Sequence, residues 1–188
     1  FKINKIPLFL VKDSRKNLSE ACTKFYKKKP QNIIAVTGTN GKSSICNFYF
    51  QILNLNKIRV ASIGTLGIRT ASGNLSVPNT TIDPLELSKQ LKKISNKKIN
   101  NVILEASSHG LKQHRLDGLR FNKGIFTNLS HDHLDYHKTF KDYLNSKLHL
   151  FNSLLCKDAT IITDEDIPEY KKIFKISKQK KFCLETVS

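Results

Sequence analysis

Lys42 and Ser43 close a glycine-bearing stretch, Val36-Thr37-Gly38-Thr39-Asn40-Gly41-Lys42-Ser43-Ser44. An ammonium beside a hydroxyl, preceded by two glycines, is a donor set for phosphate. Gly38 and Gly41 let backbone N–H groups come close to phosphate oxygens. A following helix adds partial positive charge at its N-terminus, Lys42 adds a point charge, and the Ser43 hydroxyl can reach Mg²⁺. The usual G-x-x-x-x-G-K-[ST] spacing would put glycine at position 36, where this chain has Val36. A glycine turn without a ligand is the plainer alternative, and the flanking elements argue against it.

Three further groups could do chemistry. Glu105 directly follows the apolar run Val102-Ile103-Leu104. A carboxylate there suits a hard cation that bridges phosphate oxygens, although a lone Glu after a strand is often only a cap. The run His131-Asp132-His133-Leu134-Asp135-Tyr136-His137 is dense in ligand types. Its i, i+2, i+6 histidine spacing does not match a zinc site, so His133 is read as a single Mg²⁺-directed histidine and the other two as hydrogen-bonding or surface groups. Lys147 falls inside the apolar stripe Phe140, Tyr143, Leu144, Leu148, Phe151, Leu154 and Leu155. A lysine there must snorkel, pair or lose its proton. A neutral amine could take up CO₂ as a carbamate and become an anionic metal ligand.

These side chains need rigid elements behind them. Asn32 to Val36 reads as a buried strand, and Ile45 onward to about Leu55 as a packed helix. Ile58 to Ile63 is a second strand, followed by a turn-rich excursion over Gly64-Thr65-Leu66-Gly67 and Ser72-Gly73 that suits a small hairpin. Asp83 caps a helix with Pro84 at its first position, running to about Asn96. Val102 to Leu104, Gly124 to Thr127 and Ala159 to Ile162 are further strands, and Thr139 to Leu155 is a long helix. Alternating strands and helices predict an α/β fold with a mostly parallel, doubly wound sheet, whose ligands gather beyond the carboxyl ends of the strands. Residues 1–30, with a short helix over Ser19 to Tyr26, read as the tail of a preceding domain plus a linker. Residues 31–188 read as one nucleotide-binding domain.

Composition narrows the class. The chain has 188 residues, 39% of them hydrophobic, enough for one domain with a real core. It contains no methionine and opens on Phe1, which leads us to expect a fragment cut at least at its N-terminus. No apolar run approaches a membrane span and no signal peptide is visible, so a cytoplasmic protein with no membrane partner is expected. Cys22, Cys46, Cys156 and Cys183 have no metal-like spacing and are expected to be reduced thiols. The net charge of +17 raises the question of nucleic acid. Its lysines are scattered, without interleaved aromatics, so no nucleic-acid partner is expected.

Six segments occur in an order that carries a resemblance: Thr37 to Ser43, Asn79-Thr80-Thr81, Glu105-Ala106-Ser107-Ser108-His109-Gly110-Leu111, Gln113-His114-Arg115, Phe126-Thr127-Asn128-Leu129-Ser130, and Asp132 to His137. Together they resemble the Mur ligases, in particular the branch that forms UDP-N-acetylmuramoyl-tripeptide, and the likeness covers about residues 30–165. The resemblance implies an ATP-dependent ligase that phosphorylates the D-glutamyl carboxylate of UDP-MurNAc-L-Ala-D-Glu. The acyl phosphate is then attacked by a diamino acid, meso-diaminopimelate in preference to L-lysine. It also implies roles. Gly38, Thr39, Asn40, Gly41, Lys42, Ser43 and Ser44 would hold ATP phosphates. Ser43 and Glu105 would hold one Mg²⁺, and Glu105, His133 and carbamylated Lys147 a second. Lys42, Glu105, His133 and Lys147 would be the catalytic set. Asn79, Thr80, Thr81, Ser107, Gln113 and Arg115 would contact the UDP-MurNAc-dipeptide.

The sequence departs from the family pattern at four points. Ile82-Asp83 intervenes before Pro84, Ser43 replaces a commoner threonine, Ala106 a commoner valine, and His131 a commoner arginine. The family's uridine-binding and C-terminal domains are not recognisable, so this segment is expected to bind nucleotide weakly and not to turn over alone; the full-length protein is expected to be a monomer. Two rivals remain: a folylpolyglutamate-synthetase-type ligase, which shares T-G-T-N-G-K, and a basic P-loop ATPase acting on nucleic acid.

Overall fold

The computed structural model describes residues 2–3, 6–132 and 135–188. A two-stranded antiparallel pair, β1 (Lys2–Ile3) and β2 (Ile6–Pro7), precedes α1 (Ser14–Phe25). The main sheet follows in chain order as β3 (Asn32–Thr37), α2 (Lys42–Leu55), β4 (Val60–Gly64), β5 (Gly67–Thr70), β6 (Gly73–Leu75), α3 (Pro84–Asn96), β7 (Asn101–Glu105), α4 (Ser108–Lys112) and β8 (Phe121–Phe126). It is completed by α5 (Phe140–His149), β9 (Leu155–Asp164), α6 (Tyr170–Lys180) and β10 (Cys183–Val187).

The eight strands lie in the order β10-β9-β8-β3-β7-β4-β5-β6. The first six run parallel, and β5 and β6 turn back as an antiparallel hairpin on the edge. The expected doubly wound sheet is therefore present, with the hairpin where the glycine-rich excursion predicted one. Central strands are buried on both faces and alternate between them with the two-residue period of a pleat. Ile33 and Ala35 of β3 join the large cluster beneath α3, α5 and α6, whereas Ile34 and Val36 pack with Cys46 of α2. β7 repeats the pattern: Val102 and Leu104 face the large cluster and Ile103 faces α2.

The order of strands also locates the site. From β3 the chain moves to β4, two places along the sheet; from β7 it returns past β3 to β8. The direction reverses between the adjacent strands β3 and β7, and a crevice opens at such a reversal, beyond the strand ends. The phosphate loop follows β3 and Glu105 ends β7.

Several boundaries differ from the sequence reading. The helix expected from Thr139 to Leu155 is α-helical only to His149, then makes a π-helical turn over Leu150–Leu154, and β9 begins at Leu155. The apolar stripe continues through the π turn, where Leu150, Phe151 and Leu154 are buried, so periodicity alone does not mark the change. α4, α6 and β10 were not anticipated. α4 has five residues, too few for a period to register. α6 and β10 lie in a lysine-rich stretch; Ile173 and Ile176 supply the buried face of α6.

The α3 start is as expected. Asp83 accepts hydrogen bonds from Leu85 N and Glu86 N, both 3.0 Å, and Pro84 opens the helix. α1 is longer than the predicted Ser19–Tyr26 and is capped by Asp13. Ser19 Oγ donates to Arg115 O and accepts from Gly118 N, which fastens α1 to the loop after α4. All four cysteines are free thiols, with Cys22 and Cys46 buried. Among the described residues no helix is long and apolar enough to cross a membrane.

Candidate functional site

The loop between β3 and α2 is shaped by glycine at two points. Gly38 has φ of 144°, and a Cβ there would lie 1.8 Å from Thr127 Oγ1. Gly41 has φ of 83° and caps α2 without any side-chain bond, leaving the first-turn N–H groups to a ligand. The loop after β8 clamps this one. Thr39 N donates to Asn128 O (2.9 Å), Asn40 N to Asn128 Oδ1 (3.0 Å), and Thr127 Oγ1 to Asn40 O (2.6 Å). Thr39 Oγ1 accepts from Ser130 N (3.0 Å) and shares a 3.0 Å hydrogen bond with the Tyr143 hydroxyl of α5. Thr127, Asn128 and Tyr143 were given no role from sequence. Asn128 sits at a strand end, which was the available signal.

Two lysines converge on one acceptor. Lys42 Nζ donates to Gly38 O (2.9 Å) and Thr39 O (2.7 Å), and Lys147 Nζ donates to the same Gly38 O (2.7 Å). Lys147 is only 1% exposed, so it does not snorkel to solvent. Burial, with the Lys42 charge adding to it and Asp132 opposing it, depresses its pKa to about 7. Its ammonium also lies 4.3 Å from the Tyr143 ring centroid. Burial lowers the Lys42 pKa as well, against the charges of Glu105 and Asp132. Two desolvated amines on one carbonyl make a strongly electropositive spot beside the loop.

Glu105 is 2% exposed and forms the opposite wall. Its Oε1 accepts from Thr65 N (2.8 Å), and its Oε2 from Ser43 Oγ (2.9 Å) and Thr65 Oγ1 (3.3 Å). The carboxylate fits because residue 64 is glycine: a Cβ there would lie 2.1 Å from Glu105 Oε1. Ser43 and Glu105 thus present adjacent hard oxygen donors at the head of α2. His133, expected as a third metal ligand, lies outside the described residues. Of its neighbours, His131 and Asp132 are exposed and His137 is fully buried.

Asn79, Thr80, Thr81, Ser107, Gln113 and Arg115 line one cavity of about 240 Å³, together with His109. Thr81 Oγ1 donates to Glu105 O (2.8 Å) and accepts from Ser107 N (2.9 Å), which couples this cavity to the Glu105 wall. Arg115 donates to Thr81 O (2.5 Å) and, through Nε and a terminal nitrogen, to Gln113 Oε1 (3.0 and 2.7 Å). Gln113 Nε2 donates to the Tyr136 hydroxyl (3.1 Å), and Tyr136 stacks on His109 with ring centroids 4.1 Å apart. His109 was quoted from sequence only as part of a motif. Recesses of about 500 Å³ and 510 Å³, near the β5–β6 hairpin and beside α1, touch none of these residues.

The pattern of the family described as Mur ligase middle domain matches residues 36–188. This chain belongs to the Mur ligase family. Relatives of this Mur ligase domain are described as UDP-N-acetylmuramoyl-L-alanyl-D-glutamate–2,6-diaminopimelate ligases. The one from Rickettsia bellii is 45% identical over 170 residues, covering 88% of this chain and 36% of the relative. The one from Brucella melitensis biotype 1 is 43% identical over 161 residues, covering 86% and 33%. The chain spans about a third of the length of these curated relatives. A solved structure of a ligase of the same description matches the domain with a TM-score of 0.82 at 31% identity, over 95% of this chain and 37% of that one. A bifunctional folylpolyglutamate synthase/dihydrofolate synthase, solved with Mn, AMPPNP and L-glutamate bound, shares the fold at 16% identity, with a TM-score of 0.68 over 91% of this chain and 47% of that one.

Proposed function

We propose that this Mur ligase domain is the nucleotide-binding part of an ATP-dependent ligase acting in peptidoglycan precursor synthesis. The ligase joins meso-diaminopimelate to UDP-MurNAc-L-Ala-D-Glu through an acyl phosphate. The observation that carries the reading is the convergence of Lys42, Lys147, Ser43 and Glu105 on one glycine loop, with the neighbouring cavity hydrogen-bonded to the same Glu105 through Thr81. The relatives described as 2,6-diaminopimelate ligases favour meso-diaminopimelate as the diamino acid.

The residues present fit ATP and Mg²⁺. Desolvated Lys42 suits negative charge, the α2 N-terminus is uncapped by side chains, and Ser43 with Glu105 offers hard oxygens. Bound Mg²⁺–ATP would supply the phosphoryl group and neutralise its charge. The chain's own part is then positioning. Gly38 to Ser44 would orient the phosphates, Lys42 would offset charge on the transferring group, and Ser43 and Glu105 would hold the first metal. Glu105, His133 and carbamylated Lys147 would hold the second. Lys147, with its pKa near 7, has a neutral amine available at physiological pH. That amine can add CO₂, forming an N–C bond and releasing one proton, to give the anionic carbamate that a metal site needs. Arg115, with five donors, suits the acidic peptide or pyrophosphate of the substrate.

Family membership, rather than charge, weighs against the nucleic-acid-dependent ATPase, and the folylpolyglutamate synthase likeness is one of fold alone. The test is made on the natural polypeptide that carries this domain. Ligation of meso-diaminopimelate to UDP-MurNAc-L-Ala-D-Glu, with ADP and phosphate released and no response to added DNA or RNA, is expected. Ligation of glutamate to folate instead, or ATP hydrolysis driven by nucleic acid, would overturn the reading.

A further inference from the structure

Away from the phosphate loop, His114, Asp117 and His149 bring one ligand atom each within 4.8 Å of one another. Asp117 is 3% exposed, and its carboxylate meets both rings. His114 Nδ1 lies 3.0 Å from Oδ2, and His149 Nε2 lies 3.0 Å from Oδ1 and 3.1 Å from Oδ2. The rings stand nearly perpendicular, at 88°, with centroids 5.4 Å apart. The second nitrogen of His114 is held independently: Nε2 lies 3.3 Å from Asp13 Oδ2. His114 reaches this position with φ of 57°, a left-handed backbone that its Cβ disfavours.

We infer that His114, Asp117 and His149 form a transition-metal site of the zinc class, with Asp13 orienting His114 from behind. Two imidazole nitrogens and one carboxylate are a borderline donor set, matched to Zn²⁺ or Co²⁺ and poorly matched to Mg²⁺. Tetrahedral Zn²⁺ with bonds near 2.0–2.2 Å has ligand atoms roughly 3.4 Å apart, and the Asp117–histidine contacts, at 3.0–3.1 Å, reach that spacing by opening a few tenths of an ångström. A carboxylate on the far nitrogen of a ligating histidine fixes its tautomer and raises its basicity, which is the role the geometry gives Asp13. The side chains of His114 and His149 are 30% and 25% exposed, leaving a face for a water as fourth ligand. The competing arrangement is a hydrogen-bond network, with His114 between Asp13 and Asp117. The metal would tie Asp13, at the start of α1, to the turn after α4 and to the end of α5, two residues beyond Lys147. This inference does not rest on the ligase reading.

Metal-stripped protein titrated with Zn²⁺ by calorimetry, and with Co²⁺ by visible absorbance, tests it. We expect one Zn²⁺ per chain at micromolar affinity or tighter, and a raised Tm. His114→Ala and His149→Ala should each weaken binding at least tenfold, and Asp13→Asn by about tenfold. Glu105→Gln, at the phosphate loop, should leave Zn²⁺ affinity unchanged. His149→Gln serves if the alanine variant unfolds by circular dichroism. Absence of stoichiometric Zn²⁺ binding would overturn the inference. So would binding that survives both histidine variants, or that is lost only in Glu105→Gln or in cysteine-to-serine variants.

Discussion

Replacing Lys147 by methionine should stabilise the ligand-free domain, and by an amount that depends on pH. Methionine fills nearly the same volume without an ionisable group. The Lys147 pKa falls from 10.5 to about 7 on folding, and at ~1.36 kcal/mol per pKa unit the gap is worth about 5 kcal/mol. Between those two values the unfolded chain binds the proton that the folded chain does not, so wild-type stability rises with pH. The penalty is fully present below about pH 7 and is relieved as pH climbs toward 10.5. Against this stands the loss of the Lys147–Gly38 hydrogen bond, about 1 kcal/mol, and of the contact with the Tyr143 ring, about 1–2 kcal/mol. Lys42 still serves the Gly38 carbonyl in the variant. We therefore expect Lys147→Met to be more stable by about 2–3 kcal/mol at pH 6, with the advantage shrinking steadily by pH 9.5. Urea unfolding followed by circular dichroism, in CO₂-free buffer without nucleotide or metal, measures it. A variant less stable than wild type at pH 6, or a difference that does not change with pH, would refute the reasoning.

Other perturbations follow from the same structure. Gly38→Ala places a methyl on Thr127 Oγ1 at a backbone angle that L-residues avoid; nucleotide binding, read by calorimetry with Mg²⁺–AMPPNP, should fall at least tenfold, and unchanged affinity would count against the loop as cradle. Asp83→Ala removes both cap bonds of α3 and should cost about 1 kcal/mol in urea unfolding, with no effect on nucleotide affinity. His137 is fully buried, and burial, then the Lys112 charge, lowers its pKa below 6.5. Its contribution is present above pH 6.5 and lost as pH falls through the folded-state value, so His137→Phe should flatten the acid side of the stability profile; an unchanged acid limb would show that another group controls it.

Much of the site was legible because its chemistry sits at strand ends, and strand ends are marked by apolar runs that stop. β3, β7 and β8 each read as β-branched or apolar segments, so the phosphate loop, Glu105 and the Thr127–Ser130 segment fell on one rim without knowledge of the topology. Lys147 was legible as an exception, a charge inside a helical stripe. What the sequence did not carry was contact between distant segments. Nothing in the spacing of Thr39 and Tyr143 announces their hydrogen bond, and Asn128 supports the phosphate loop across 88 positions. The His114–Asp117–His149 cluster was invisible for the same reason: its histidines come from two different elements, and only packing of α5 against α4 brings them together. The π turn escaped because its residues keep the helical pattern while the hydrogen bonding changes.

We propose that Lys147 serves the phosphate site as a carboxylated amine. The most direct measurement is ligation by the natural polypeptide carrying Lys147→Ala, with and without added short carboxylic acids such as acetate or propionate. Ligation should be lost, and the acids, entering the space vacated beside Gly38, should restore part of it. Full ligation by the variant without any added acid would contradict it.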